Sequence, residues 1–138
     1  MIPATERAAM IRTDFSDDEE WASLCAKLRA PMTIQGYEIS ADVEVVDNPI
    51  FDGKTKEQLI ELIPADYGPS FFIVVDKQAL SHPDSPVLLV DLFESPGQEL
   101  RVSMSALPSI EANLTYANMD FEEFVENADP DGIFRDFR

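Results

Sequence analysis

Two runs in the chain, Phe71 to Val75 and Val87 to Val90, contain no polar residue. A strand with one face in water alternates apolar and polar side chains, so unbroken runs of this length mark strands covered on both faces. Such strands belong at the centre of a sheet and need helices on either side. The expected architecture is an α/β three-layer sandwich with a mixed five-stranded sheet and helices on both faces. The predicted order is β-α-β-α-β-β-β-α-α in a single globular domain over residues 1–138.

The remaining elements follow from periodicity and caps. A short first strand spans Ala9 to Thr13, and Ser16 with Glu19 is spaced as a capping box for the helix that follows. In that helix Trp21, Leu24, Cys25 and Leu28 recur on one face. A turn at Gly36 precedes a second strand near Asp42 to Val46. Thr55 and Gln58 then open a helix that Pro64 stops. Leu100, Val102 and Met104 alternate with Arg101, Ser103 and Ser105, as in a strand nearer an edge. Of the last two helices, one carries Leu107, Ile110, Leu114 and Ala117 on one face. The other starts at Asp120, with Glu123 completing a capping box and Met119 placed to staple against Phe124.

Charge narrows the function classes. With 27 acidic residues against 10 basic ones the formal net charge is -17, which repels nucleic acid and anionic membranes. The single cysteine excludes an internal disulfide, and one histidine, His82, leaves little for a zinc site. Residues 1–9 lack the apolar stretch of a secretory signal and no run is long enough to span a bilayer, so a cytoplasmic location is expected.

Apolar runs end on aspartates at Asp14, Asp47, Asp76 and Asp91. Helices join the first three strands, so these should be parallel, placing Asp14, Asp47 and Asp76 at one edge of the sheet. Ligands bind at the carboxyl ends of parallel strands, and clustered carboxylates there suit Mg²⁺. Ten residues, Lys77 to Pro86, separate the third and fourth strands; this is short for a parallel crossover and implies an antiparallel pair. Asp91 then falls at the opposite end, where a hairpin loop over Glu94 to Gln98 would set it against Arg101 in an ion pair. The alternative role for Asp14 and Asp76 is helix capping, and for Asp47 a turn.

Other motifs carry less. Asn127 to Ile133 has the first half of a calcium loop, but Arg138 stands where a bidentate Glu is required, so a Pro-Asp-Gly turn is expected. Cys25 belongs to a buried helical face, His82 to a loop, and neither lies in a nucleophile motif. None of the five glycines forms a phosphate-cradling loop. Two acidic clusters stand out instead: Asp17, Asp18, Glu19 and Glu20, and Glu122, Glu123, Glu126, Asp129 and Asp131.

The segments Ala9 to Phe15, Asp47 to Gly53 and above all Asn113 to Phe124 resemble a small bacterial family, mainly actinomycete, to which no activity is assigned. The resemblance runs over nearly the whole chain and transfers no catalytic residue. It makes the Asn-Met-Asp-Phe stretch at 118–121 the first place to look for an unrecognised site. The expected function is that of a non-enzymatic binding module. Its acidic face, Asp17, Asp18, Glu20, Glu122, Glu123 and Glu126, would engage a basic protein, as an immunity-type or regulatory partner. Two alternatives are a Mg-dependent enzyme or metal-binding protein using Asp14, Asp47 and Asp76, and a mimic of nucleic-acid charge.

Overall fold

In the computed structural model, residues 2–30, 32–34, 36–116 and 119–136 are described; Ala117 of the predicted helical face, Asn118 and Arg138 lie outside them. The elements are β1 (Ala8–Arg12), α1 (Asp18–Arg29), β2 (Met32–Ile34), β3 (Tyr37–Ile39), β4 (Val43–Val46), a 3-10 turn (Pro49–Phe51), α2 (Lys56–Leu62), β5 (Phe71–Val75), α3 (Lys77–Ser81), β6 (Val87–Asp91), β7 (Glu99–Val102), α4 (Leu107–Thr115), α5 (Phe121–Glu126) and β8 (Ile133–Phe134). Six strands form one mixed sheet in the order β4-β1-β5-β6-β7-β8, and β2 pairs with β3 in a separate antiparallel hairpin.

The expected class therefore holds, with one more strand in the sheet than predicted and a separate hairpin besides. Neither β8, of two residues, nor the three-residue strands flanking Gly36 are long enough for periodicity to register. β1 pairs in parallel with both β4 and β5, while β5 and β6 are antiparallel, as the connection lengths required. The fully buried strands β1, β5 and β6 occupy the middle of the sheet.

Successive side chains on these strands divide into two cores. Met10, Ile73, Val75 and Leu89 face a layer made by Trp21 and Leu24 of α1, Leu80 of α3, Ile110 of α4, and Phe121 and Phe124 of α5. Phe124 meets Phe134 of β8 edge to face, with ring centres 5.3 Å apart. Ile11, Phe72, Val74 and Val90 face the opposite way, under Phe51, Leu59 of α2 and Ile2. Each large apolar side chain so enclosed contributes about 1.5–3 kcal/mol.

Local polar chemistry sets the helix ends. Thr55 and Gln58 form the reciprocal box expected of them: the Gln58 N–H donates to Thr55 Oγ1 and the Thr55 N–H to Gln58 Oε1. The box at Asp120 likewise has its N–H donating to Glu123 Oε1 at 3.1 Å. At α1 the cap is one residue later than predicted: Asp17 Oδ1 accepts the Glu20 N–H. Ser16 instead gives its N–H and hydroxyl to the two carboxylate oxygens of Asp14, which closes a turn before the helix can start. Lys56 ties α2 to the β6–β7 connection through Gly97 O at 2.9 Å and Glu99 at 3.2 Å. Among the described residues no helix is long and apolar enough to cross a membrane.

Candidate functional site

Because β1, β4 and β5 are parallel, Asp14, Asp47 and Asp76 follow strands that end at one edge of the sheet. Two arginines already occupy that edge. Arg12, 4% exposed, places Nη2 2.7 Å from Asp18 and Nη1 3.4 Å from Asp47, and its Nε donates to the Asp14 carbonyl. Its guanidinium also stands over the rings of Phe15 and Trp21, at 4.3 and 5.0 Å. Asp76 is held at both carboxylate oxygens by Arg101, at 2.8 and 2.7 Å, and caps α3 through the Ala79 N–H. Burial works to raise the Asp76 carboxyl, but the bonds and charge of Arg101 outweigh it and hold the group below its ordinary range. Among the described residues, no group of three carboxylate, cysteine or histidine side chains is arranged to hold a metal ion.

The predicted Asp91–Arg101 pair is not formed. The β6–β7 register sets Arg101 against Leu88, three residues away from the expected position. Asp91, 4% exposed, instead accepts the Phe93 and Ser95 N–H groups, while its own carbonyl accepts from Gly97. Donors within its own turn satisfy the carboxylate, leaving Arg101 to reach across to Asp76.

The two acidic clusters have different fates. Asp17 and Glu20 line a polar cleft of about 450 Å³ with Asp14, where Lys27 and Lys77 supply the opposite charge. Asp18 is committed to Arg12. In the second cluster Arg135 grips Asp129 and Asp131 and reaches Asp84, which holds the Asp131 carboxyl low. The expected Pro-Asp-Gly turn forms, with Gly132 at φ +85° and its N–H donated to Asp129 O. Glu122, Glu123 and Glu126 stay exposed on α5; Glu122 accepts from Gln98 Nε2 at 2.7 Å.

The start of α5 borders a groove that no local motif in the sequence marks as a whole. It encloses about 410 Å³ between the start of β5, the loop after β6, the end of α4 and the start of α5. Leu114, Met119, Phe121 and Phe93 are its apolar lining residues; Glu6, Glu94 and Asp120 are exposed acidic ones, and Asp91, its carboxylate buried in its own turn, is a fourth. No lysine, arginine or histidine occurs among its described lining residues. Glu94 hydrogen-bonds Asp120, and this bond, with desolvation and the charges of Asp120, Asp91 and Glu123, raises the Glu94 carboxyl. Met119, Asp120 and Phe121 come from the stretch singled out in the sequence; Glu6, Gly68 and Phe93 are distant in the chain and carried no local motif.

Cys25 is half-buried against the larger core, and desolvation raises its thiol, contrary to what a nucleophile requires. His82 Nδ1 accepts the Asp84 N–H within its own exposed turn.

Residues 7–137 match the model of a family described as a domain of unknown function, DUF6924. The chain belongs to this family. No curated protein matches it. In this DUF6924 domain the acidic groove therefore has to be read from its own chemistry.

Proposed function

We propose that the protein is a non-enzymatic binding module whose acidic groove engages a basic protein partner, of immunity or regulatory type. The observation that carries this reading is the groove's composition: three exposed acidic residues, Glu6, Glu94 and Asp120, over an apolar lining, with no cation among its described residues. Elsewhere on the molecule Arg12, Arg101 and Arg135 neutralise carboxylates in place; among the described lining residues of this cavity no side chain does so. A lysine or arginine side chain entering the groove would bury its methylenes on Leu114 and Phe121 and set its charge among Glu94, Asp120 and Glu6. The exposed Glu122, Glu123 and Glu126 extend the same sign beyond the rim and would steer a cationic partner on approach. The α1 cluster contributes less, since Asp18 is paired and Asp17 and Glu20 share their cleft with lysines.

A cation favours the charged form of Glu94, so association releases part of a proton and tightens as pH rises through the raised Glu94 value. The test is quantitative affinity capture from native lysate with the wild type, Glu94→Lys/Glu122→Lys, and a control reversal on α2, Glu57→Lys/Glu61→Lys. The groove variant should lose a partner that the control retains. Equal retention by both variants, or equal loss, rejects the assignment of the site.

A further inference from the structure

A second groove of about 390 Å³ lies on the other side of Phe93. Ile60, Ile63, Ala65, Tyr67 and Leu92 line it, and none of its described lining residues is charged. The two grooves share Gly68, Pro69, Ser70 and Phe93, so they are halves of one surface with different chemistry on each side of a single aromatic ridge. The ridge is held in place. Phe93 is 74% exposed, yet its backbone is fixed by the buried Asp91 carboxylate, and the neighbouring Leu92 N–H donates to Ser70 O at 2.8 Å. The facing rim is anchored too: the Gly68 N–H donates to Thr5 O, and a Cβ at Gly68 would lie 3.4 Å from that oxygen. An exposed phenylalanine on a locked turn, between an acidic groove and an uncharged apolar one, loses little backbone freedom when covered.

Resting on the reading of the acidic groove given above, we propose that the partner presents an extended amphipathic segment laid across Phe93, with basic side chains in the first groove and apolar side chains in the second. Charge complementarity fixes which side chains go where, since among the described lining residues only the first groove has acidic ones. An extended backbone sends alternate side chains to opposite sides, as a ridge flanked by two unlike grooves requires.

The probes are short fluorescent peptides of equal length and charge, one alternating Lys and Leu, the other Lys and Ser, measured by anisotropy at physiological salt. The Lys/Leu peptide should bind about tenfold more tightly, the yield of roughly one buried apolar side chain. Ala65→Gln, at an exposed position in the second groove, should remove most of that advantage and leave the Lys/Ser affinity unchanged. Phe93→Ser, also at an exposed position, should weaken the Lys/Leu peptide by at least as much. Circular dichroism and melting temperature confirm that both variants fold. Equal affinity for the two peptides, or an advantage surviving both substitutions, overturns the two-groove surface. If the Lys/Ser peptide then still binds and is lost in Glu94→Lys, the acidic groove stands without it. Failure of the wild type to bind either peptide overturns both.

Discussion

Replacing Asp76 with Asn keeps the cap on α3, because Asn serves at that position as well as Asp, but removes the charge that Arg101 grips. Asp76 and Arg101 side chains are 30% and 19% exposed, and the pair is bidentate, so solvent screens it less than a surface ion pair. Losing a charge-assisted pair of this kind costs about 1.5–2 kcal/mol. Asp76→Ala also loses the cap, for about 1 kcal/mol more. At roughly 4 °C per kcal/mol for a domain of this size, the melting temperature should fall by about 6–8 °C for Asn and about 10–12 °C for Ala. The pH dependence separates this account from simple packing loss. The folded-state pKa of Asp76 is depressed, so its stabilisation is complete above the ordinary carboxylate value of about 3.9 and is lost as pH falls through the folded value. Asn does not titrate. The gap between wild type and Asp76→Asn, measured by urea denaturation, should therefore be full at neutral pH and close in strong acid. A gap that stays constant from neutral to strongly acid pH, or is absent at neutral pH, would refute the reasoning.

Further outcomes follow from single contacts. Tyr67 donates its hydroxyl to Phe71 O and accepts the Ala9 N–H, bridging the loop after α2 to two central strands; Tyr67→Phe should cost about 1–2 kcal/mol in urea denaturation. Its phenol is pushed up to about 12 by burial, so a spectrophotometric titration should contain a late transition near that value, missing from Tyr67→Phe. The neutral form is the one the fold favours, and this contribution is kept below about pH 10 and lost as pH rises through the folded value. Asp91→Ala leaves the Phe93 and Ser95 N–H groups without their acceptor; it should destabilise by about 1–3 kcal/mol and weaken Lys/Leu peptide binding through the freed Phe93. Cys25 should react more slowly with a thiol reagent at pH 8 than a free cysteine does, with denaturation restoring the rate.

Most of the framework was legible because it rests on local chemistry. Unbroken apolar runs placed β5 and β6 at the sheet centre, and connection length fixed their direction. The Thr55 and Asp120 boxes marked two helix starts within a residue. What failed was decided by geometry beyond a few residues. The Arg101 partner depended on hairpin register, and Asp91 found donors in its own turn. Arg12 and Arg135 each draw carboxylates from several segments, so their neutralising role has no sequence pattern. The groove is the extreme case, since Glu6, Ser70, Glu94 and Phe121 meet only once the sheet has formed. Met119, Asp120 and Phe121, from the stretch singled out in the sequence, line one wall of it.

The unequal covering of the two sheet faces should give the molecule two tiers of stability. Four helices seal one face, whereas the other is closed by seven-residue α2, the 3-10 turn and Ile2. Detaching α2 uncovers less apolar surface than opening the helical layer opposite, so its amides should exchange with solvent through a cheaper sub-global opening. Lys56 of α2 bonds the hairpin that carries Phe93, and Ile60 lines the second groove. A ligand seated across Phe93 would therefore be registered as slowed exchange along α2, a layer away from the acidic groove, and the weaker half of the molecule would report on occupancy.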